Sequence, residues 1–72
     1  MLFAFMISKA QTEDGMSWDW YDYKLVIGPD FKRTYNRTRD LIDGLKAKDK
    51  ARNEAQWYDY SFKEVDYIEE VA

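Results

Sequence analysis

The pattern of apolar and polar positions divides this chain into four segments. Leu2-Phe3-Ala4-Phe5-Met6-Ile7 is an unbroken apolar run, too short and too apolar for an exposed helix. It predicts a buried strand ending near Lys9, although such a run by itself also suits a buried helical turn. Trp18 to Ile27 alternates with period two: Tyr21, Tyr23, Leu25 and Ile27 share one side, and Trp18, Trp20, Asp22, Lys24 and Val26 share the other. Side chains alternate across a strand, so this is a second strand. The first set is the more continuous apolar row and is assigned to the core, which leaves Trp18 and Trp20 on the open face. A single bulge would invert that assignment.

From Phe31 the period changes. Phe31, Tyr35, Thr38, Leu41, Ile42 and Leu45 recur at spacings of three and four, which predicts an amphipathic helix. Its outward face carries Lys32, Arg33, Arg37, Arg39 and Asp40. Gly44 interrupts the pattern at a cost of about 1 kcal/mol relative to Ala, so the helix is expected to weaken or stop there. Lys46 to Glu54 reads as the last turns or as a loop. Trp57 to Phe62 alternates again, with Tyr58, Tyr60 and Phe62 on one side and Trp57, Asp59 and Ser61 on the other.

The punctuation agrees with these divisions. Asp14-Gly15 is a turn signal, because Gly accepts the positive φ of tight turns. Gly28-Pro29-Asp30 ends the second strand, since Pro has no amide hydrogen for a ladder and Asp is a good helix N-cap. Beyond Phe62 two readings compete. Val65 and Tyr67 have the opposite parity to Phe62, so a continuing strand needs a bulge near Lys63-Glu64. Alternatively Ser61 to Glu64 is a capping box opening a helix with Phe62, Val65, Ile68 and Val71 on one side. The strand is preferred, because a two-stranded hairpin and one helix make a poor core. The expected fold is a single α+β domain over residues 1–72: a small two-layer ββαβ unit, a three-stranded antiparallel sheet with one amphipathic helix on one face.

One tetrapeptide occurs twice: Trp20-Tyr21-Asp22-Tyr23 and Trp57-Tyr58-Asp59-Tyr60. Each copy sends its Trp and Asp to one side of a strand and its two Tyr to the other. The flanking residues differ, so convergent strand composition is preferred to a shared binding role as the reason for the coincidence.

Composition narrows the chemistry. With 72 residues the chain makes one domain of thin stability margin. There is no Cys and no His. That removes disulfides, thiolate metal sites and the commonest acid–base and metal-binding side chain. Ser8, Ser17 and Ser61 have no nucleophile context, and the three glycines form no phosphate loop. Adjacent acids such as Glu69-Glu70 read as solvated charge, and no loop has the spacing of a calcium-binding hand. Neither a metal nor a cofactor is expected, and the chain is read as a non-enzyme.

The net charge of −3 hides a segregation. Residues 32–52 hold eight basic groups against three acids, while the remainder holds eleven acids against three bases. Two binding surfaces follow. The acidic-aromatic sheet offers Trp18, Asp19, Trp20, Asp22, Trp57, Asp59, Glu64, Asp66, Glu69 and Glu70, with carboxylates spaced like phosphates and indoles as anchors. The basic helix over 31–50 offers Lys32, Arg33, Arg37 and Lys46 to nucleic-acid phosphates, a reading ranked lower because the chain as a whole is acidic. A homodimer interface is the third reading. The short apolar run at the N-terminus lacks the marks of a signal peptide and the length of a membrane span, so a soluble cytoplasmic protein is expected.

In size, acidity and want of catalytic residues the chain resembles the small phage-encoded proteins that disable host machinery, DNA mimics and anti-CRISPR proteins among them. The likeness is one of composition, and no motif carries a residue across. It implies a stoichiometric inhibitor of a host or regulatory protein, nucleic-acid-binding proteins among the expected partners, acting in the host cytoplasm if phage-encoded.

Overall fold

The computed structural model describes residues 1–66. Strand β1 (Phe3–Gln11) and strand β2 (Asp19–Gly28) are followed by helix α1 (Phe31–Ala51) and strand β3 (Tyr58–Val65). The sheet order is β2-β1-β3, and both neighbours run antiparallel to β1. β2 and β3 are therefore parallel to each other, and parallel strands need a long crossover. Helix α1 supplies it. Its 21 residues span about 31 Å, close to the roughly 30 Å of a nine-residue strand.

The helix lies over the face that carries Phe3, Phe5 and Ile7. Phe5 is nearly inaccessible, with its ring 5.5 Å from Phe31, 5.9 Å from Tyr35 and 6.0 Å from Phe62. Lower down, Ile7, Val26, Ile42 and Tyr60 form the buried cluster, and Leu41, Leu45, Tyr58 and Phe62 pack around it. Two threonines complete the buried helix stripe. The Thr34 hydroxyl donates to the Asp30 carbonyl at 2.6 Å, and the Thr38 hydroxyl to the Thr34 carbonyl at 2.7 Å. These bonds satisfy hydroxyls that burial would otherwise penalise.

The punctuation is where the sequence places it. The Asp30 carboxylate accepts the Arg33 amide at 2.8 Å as N-cap. Asp14 organises the β1–β2 loop, accepting the amides of Met16 and Ser17 at 2.8 and 2.9 Å, and Gly15 takes φ +76°. Those amides, Ser17 foremost, hold the Asp14 carboxyl below its ordinary pKa. Past α1, Asn53 turns the chain with φ +57° and donates its amide to Lys50.

Four expectations need correction. β1 runs on past Lys9 to Gln11. The helix does not stop at Gly44 but continues to Ala51, its packing outweighing a single poor helix former. β3 reaches Val65 with no bulge and no helix at Ser61. Val65 instead turns to the face away from α1, where it sits across Ala4 from Ile27. The predicted apolar row of β2 is split. Ile7 pairs with Lys24 but Ser8 pairs with Asp22, so Tyr23 is an extra residue, a bulge. Tyr21 and Tyr23 lie on the helix side but are 42% and 45% exposed and are not the core residues they were assigned as, whereas beyond the bulge Val26 takes the core position and Leu25 and Ile27 turn to the open face. The Tyr67 to Ala72 reading lies outside the described residues.

The turn into α1 depends on Gly28. A Cβ there would collide with the Thr34 hydroxyl and sit 3.4 Å from the Thr34 Cβ. Gly28→Ala is expected to destabilise by about 1–3 kcal/mol in urea denaturation. Adding Thr34→Ala should recover part of that loss, and additive losses would show that the clash is not the cause.

Candidate functional site: the open face of the sheet

Directly paired residues on neighbouring strands share a face, so the register fixes what each side displays. Away from the helix the sheet shows successive rows across β2, β1 and β3. Ile27-Ala4-Val65 comes first, then Leu25-Met6-Lys63, Asp22-Ser8-Ser61 and Trp20-Ala10-Asp59. Below these, the Thr12 amide donates to the Trp57 carbonyl at 3.0 Å, and alternation brings Trp18 to the same end. The face is thus aliphatic at one end and indole-rich at the other, with two carboxylates and one ammonium between.

No other element of the described residues lies over this face. Trp20 is 51% exposed, Trp18 39%, Trp57 37% and Leu25 39%. Ala4 and Ala10 are buried all the same, because both flanking strands carry larger side chains beside them. Asp59 bends back to accept the Tyr60 amide at 2.8 Å, which fixes its carboxylate at the margin of β3.

The predicted partner-binding residues separate on this map. Trp20, Asp22 and Asp59 share the open face, and Trp18 and Trp57 stand at its indole end. Asp19 pairs with Gln11 and Glu64 with Phe5, which places both on the helix side. Asp66 is exposed just past β3. Glu69 and Glu70 lie outside the described residues. Leu25, Ile27, Met6, Val65 and Lys63 belong to the face and were missed, because the Tyr23 bulge and the straight run of β3 decide their side.

The doubled tetrapeptide acquires a physical role on the other face. The two copies flank β1, offset by two residues, so Tyr21 and Tyr60 both oppose Lys9. The Lys9 ammonium lies 4.3 Å from the Tyr58 ring centre, 5.3 Å from Tyr23 and 5.8 Å from Tyr60. Contacts of this kind contribute about 0.5–1 kcal/mol each where solvent reaches them. Tyr23 of one copy and both tyrosines of the other therefore hold a cation beside the core, with Tyr21 packed edge-on against Tyr23, while the Trp and Asp of each copy face outward. Tyr60 also donates its hydroxyl to the buried Asp49 carboxylate at 2.6 Å. Asp49 continues the 38-42-45 stripe at its next position, and the Tyr60 hydroxyl is what lets a carboxylate be buried there.

The cations of the helix do not form one patch. At 100° per residue, Lys32 and Lys46 fall on one flank of α1 and Arg33 and Arg37 on the other, with Asp40 and Asp43 between them. Arg39 and Lys46 edge a cleft of about 340 Å³ between α1 and β3, which Asp43 also lines. No helix of the described residues is long and apolar enough to cross a membrane.

Burial first, then the hydrogen bond to Asp49 and its charge, push the Tyr60 phenol well above its ordinary pKa. Its contribution to stability is complete below about pH 10, where the unfolded phenol is still protonated, and drains away as pH rises beyond that toward the folded value. Tyr60→Phe is expected to cost about 1–3 kcal/mol at neutral pH by stranding Asp49. It should also flatten the fall in stability above pH 10, read by urea denaturation across pH. An unchanged alkaline slope would show that Tyr60 is not its source.

No family model, no curated protein and no solved structure matches this chain.

Proposed function

We propose that this chain is a non-enzymatic binding protein that docks on another protein through the open face of its sheet and acts as a stoichiometric inhibitor. One observation carries the reading: Trp20 stands half-exposed on a face that α1 does not cover, with Trp18 and Trp57 at the same end. Solvent-facing indoles are costly to leave in water and are enriched where partners bind tightly. Three of them at one end of one face are more than solubility requires. Asp22 and Asp59 flank the same region, so the favoured partner is an apolar cleft bordered by basic groups, such as the nucleic-acid site of a host or regulatory protein.

The carboxylates orient this docking more than they imitate a phosphate chain. Only two of the proposed acids share the face with the indoles, and Lys63 stands among them. The nucleic-acid alternative draws less support from the geometry, because its four cations divide between two flanks of α1.

Replacing Trp20 and Trp57 together by Ala is expected to weaken partner binding by roughly a hundredfold or more, the scale of two interface anchors. Pull-downs from host lysate with the native chain and with the double variant would be compared, with far-UV circular dichroism confirming that both are folded. Retention of the same proteins by both chains defeats the proposal. A mobility shift of random DNA or RNA that vanishes when Arg33 and Arg37 are reversed to Glu would favour the helix instead.

A further inference from the structure

The open face is complementary to itself, and we propose that a second copy of this chain covers it when no other partner is bound. Two sheets packed face to face are related by a two-fold axis lying in the plane between them. Only two directions of such an axis keep the strands aligned, and with the axis centred on Ser8 the register distinguishes them.

Consider an axis perpendicular to the strands, passing over Ser8. It keeps β3 over β3 and reverses the rows. Lys63, one row above Ser8, then meets Asp59 of the second copy, one row below. Leu25 meets Trp20 of the second copy by the same operation. On β1 the long Met6 side chain meets Ala10, a large residue over a small one. Val65 falls over Trp57. Opposite charges, aliphatic on indole and large on small therefore all match. These pairs lie about 7 Å from the axis or, for Val65 and Trp57, about twice that, so those nearest it are least disturbed by sheet twist.

The other axis runs along the strands and exchanges β2 with β3. It sets Ile27 on Val65 and Trp18 on Trp57, but it also sets Lys63 on Leu25 and Asp59 on Trp20, which leaves both charges on apolar groups. Charge pairing selects the first arrangement. One feature opposes it: Asp22 meets Asp22 of the second copy across the axis. The face measures about 14 Å across three strands and about 30 Å along them, so the pair covers roughly 840 Å² in plan, below the range of stable interfaces and in that of weak, transient ones. The dimer is therefore expected to be weak and to yield to a tighter partner.

Sedimentation velocity on the full chain across a dilution series tests this. The native protein is expected to pass from monomer to dimer, with Lys63→Asp and Asp59→Lys each weakening association roughly tenfold. The double swap Lys63→Asp with Asp59→Lys should restore it, and Asp22→Asn should tighten it. Circular dichroism checks that every variant is folded. A monomer at all concentrations overturns the proposal, and so does a dimer that ignores the charge reversals or is not rescued by the double swap. Either failure leaves the foreign-partner reading standing, since that is decided by the Trp20 and Trp57 variant in pull-downs.

Discussion

Strand β1 is hydrogen-bonded on both sides, and the described residues provide one helix to lay across the sheet it centres. Everything else follows from that shortage of layers. Phe5 and Ile7 are sealed under α1, and the core is built around them. Among the described residues no second helix lies on the other face of the same strands, and that face stays open. Ala4, Ser8 and Ala10 of β1 keep the middle of that face low, while the flanking strands raise Trp20, Leu25 and Lys63 along its sides. The arrangement resembles half of a sheet sandwich more than a finished surface.

The bulge at Tyr23 settles how the two faces share the apolar residues of β2. Without it Leu25 and Ile27 would follow Tyr21 and Tyr23 beneath the helix, and Val26 would be outside. With it, the lower half of the strand contributes tyrosines to the Lys9 enclosure and the upper half contributes Val26 to the core. One inserted residue thus gives the helix side a small branched side chain where α1 passes close. It also gives the open side an aliphatic end opposite its indoles.

Much of this architecture was legible in the sequence. The two periods, the Asp14-Gly15 turn, the Gly28-Pro29 break and the Asp30 cap yielded the element order and the type of every element. What escaped was long-range. A bulge leaves no local mark in β2, since it is fixed by which residues of β1 it opposes. The helical period sets Asp49 on the buried stripe, but only Tyr60, across the fold, supplies the donor that its carboxylate needs there. The same limit applies to the candidate face: Trp20, Asp22 and Asp59 share a side by simple alternation within their own strands. Asp19 has the parity of Tyr21, so the same alternation already sets it on the helix side, while the side of Glu64 depended on whether β3 carried a bulge.

The Asp59 side chain, folded back onto the Tyr60 amide, has a consequence for how this protein keeps company. It occupies a donor that an incoming strand would need, on the rim where a sheet this small is most easily extended. The kink at Tyr23 spoils the opposite rim in its own way. With both sides made unattractive for continued stacking of strands, a tyrosine- and tryptophan-rich chain offers no ready rim along which fibres could grow.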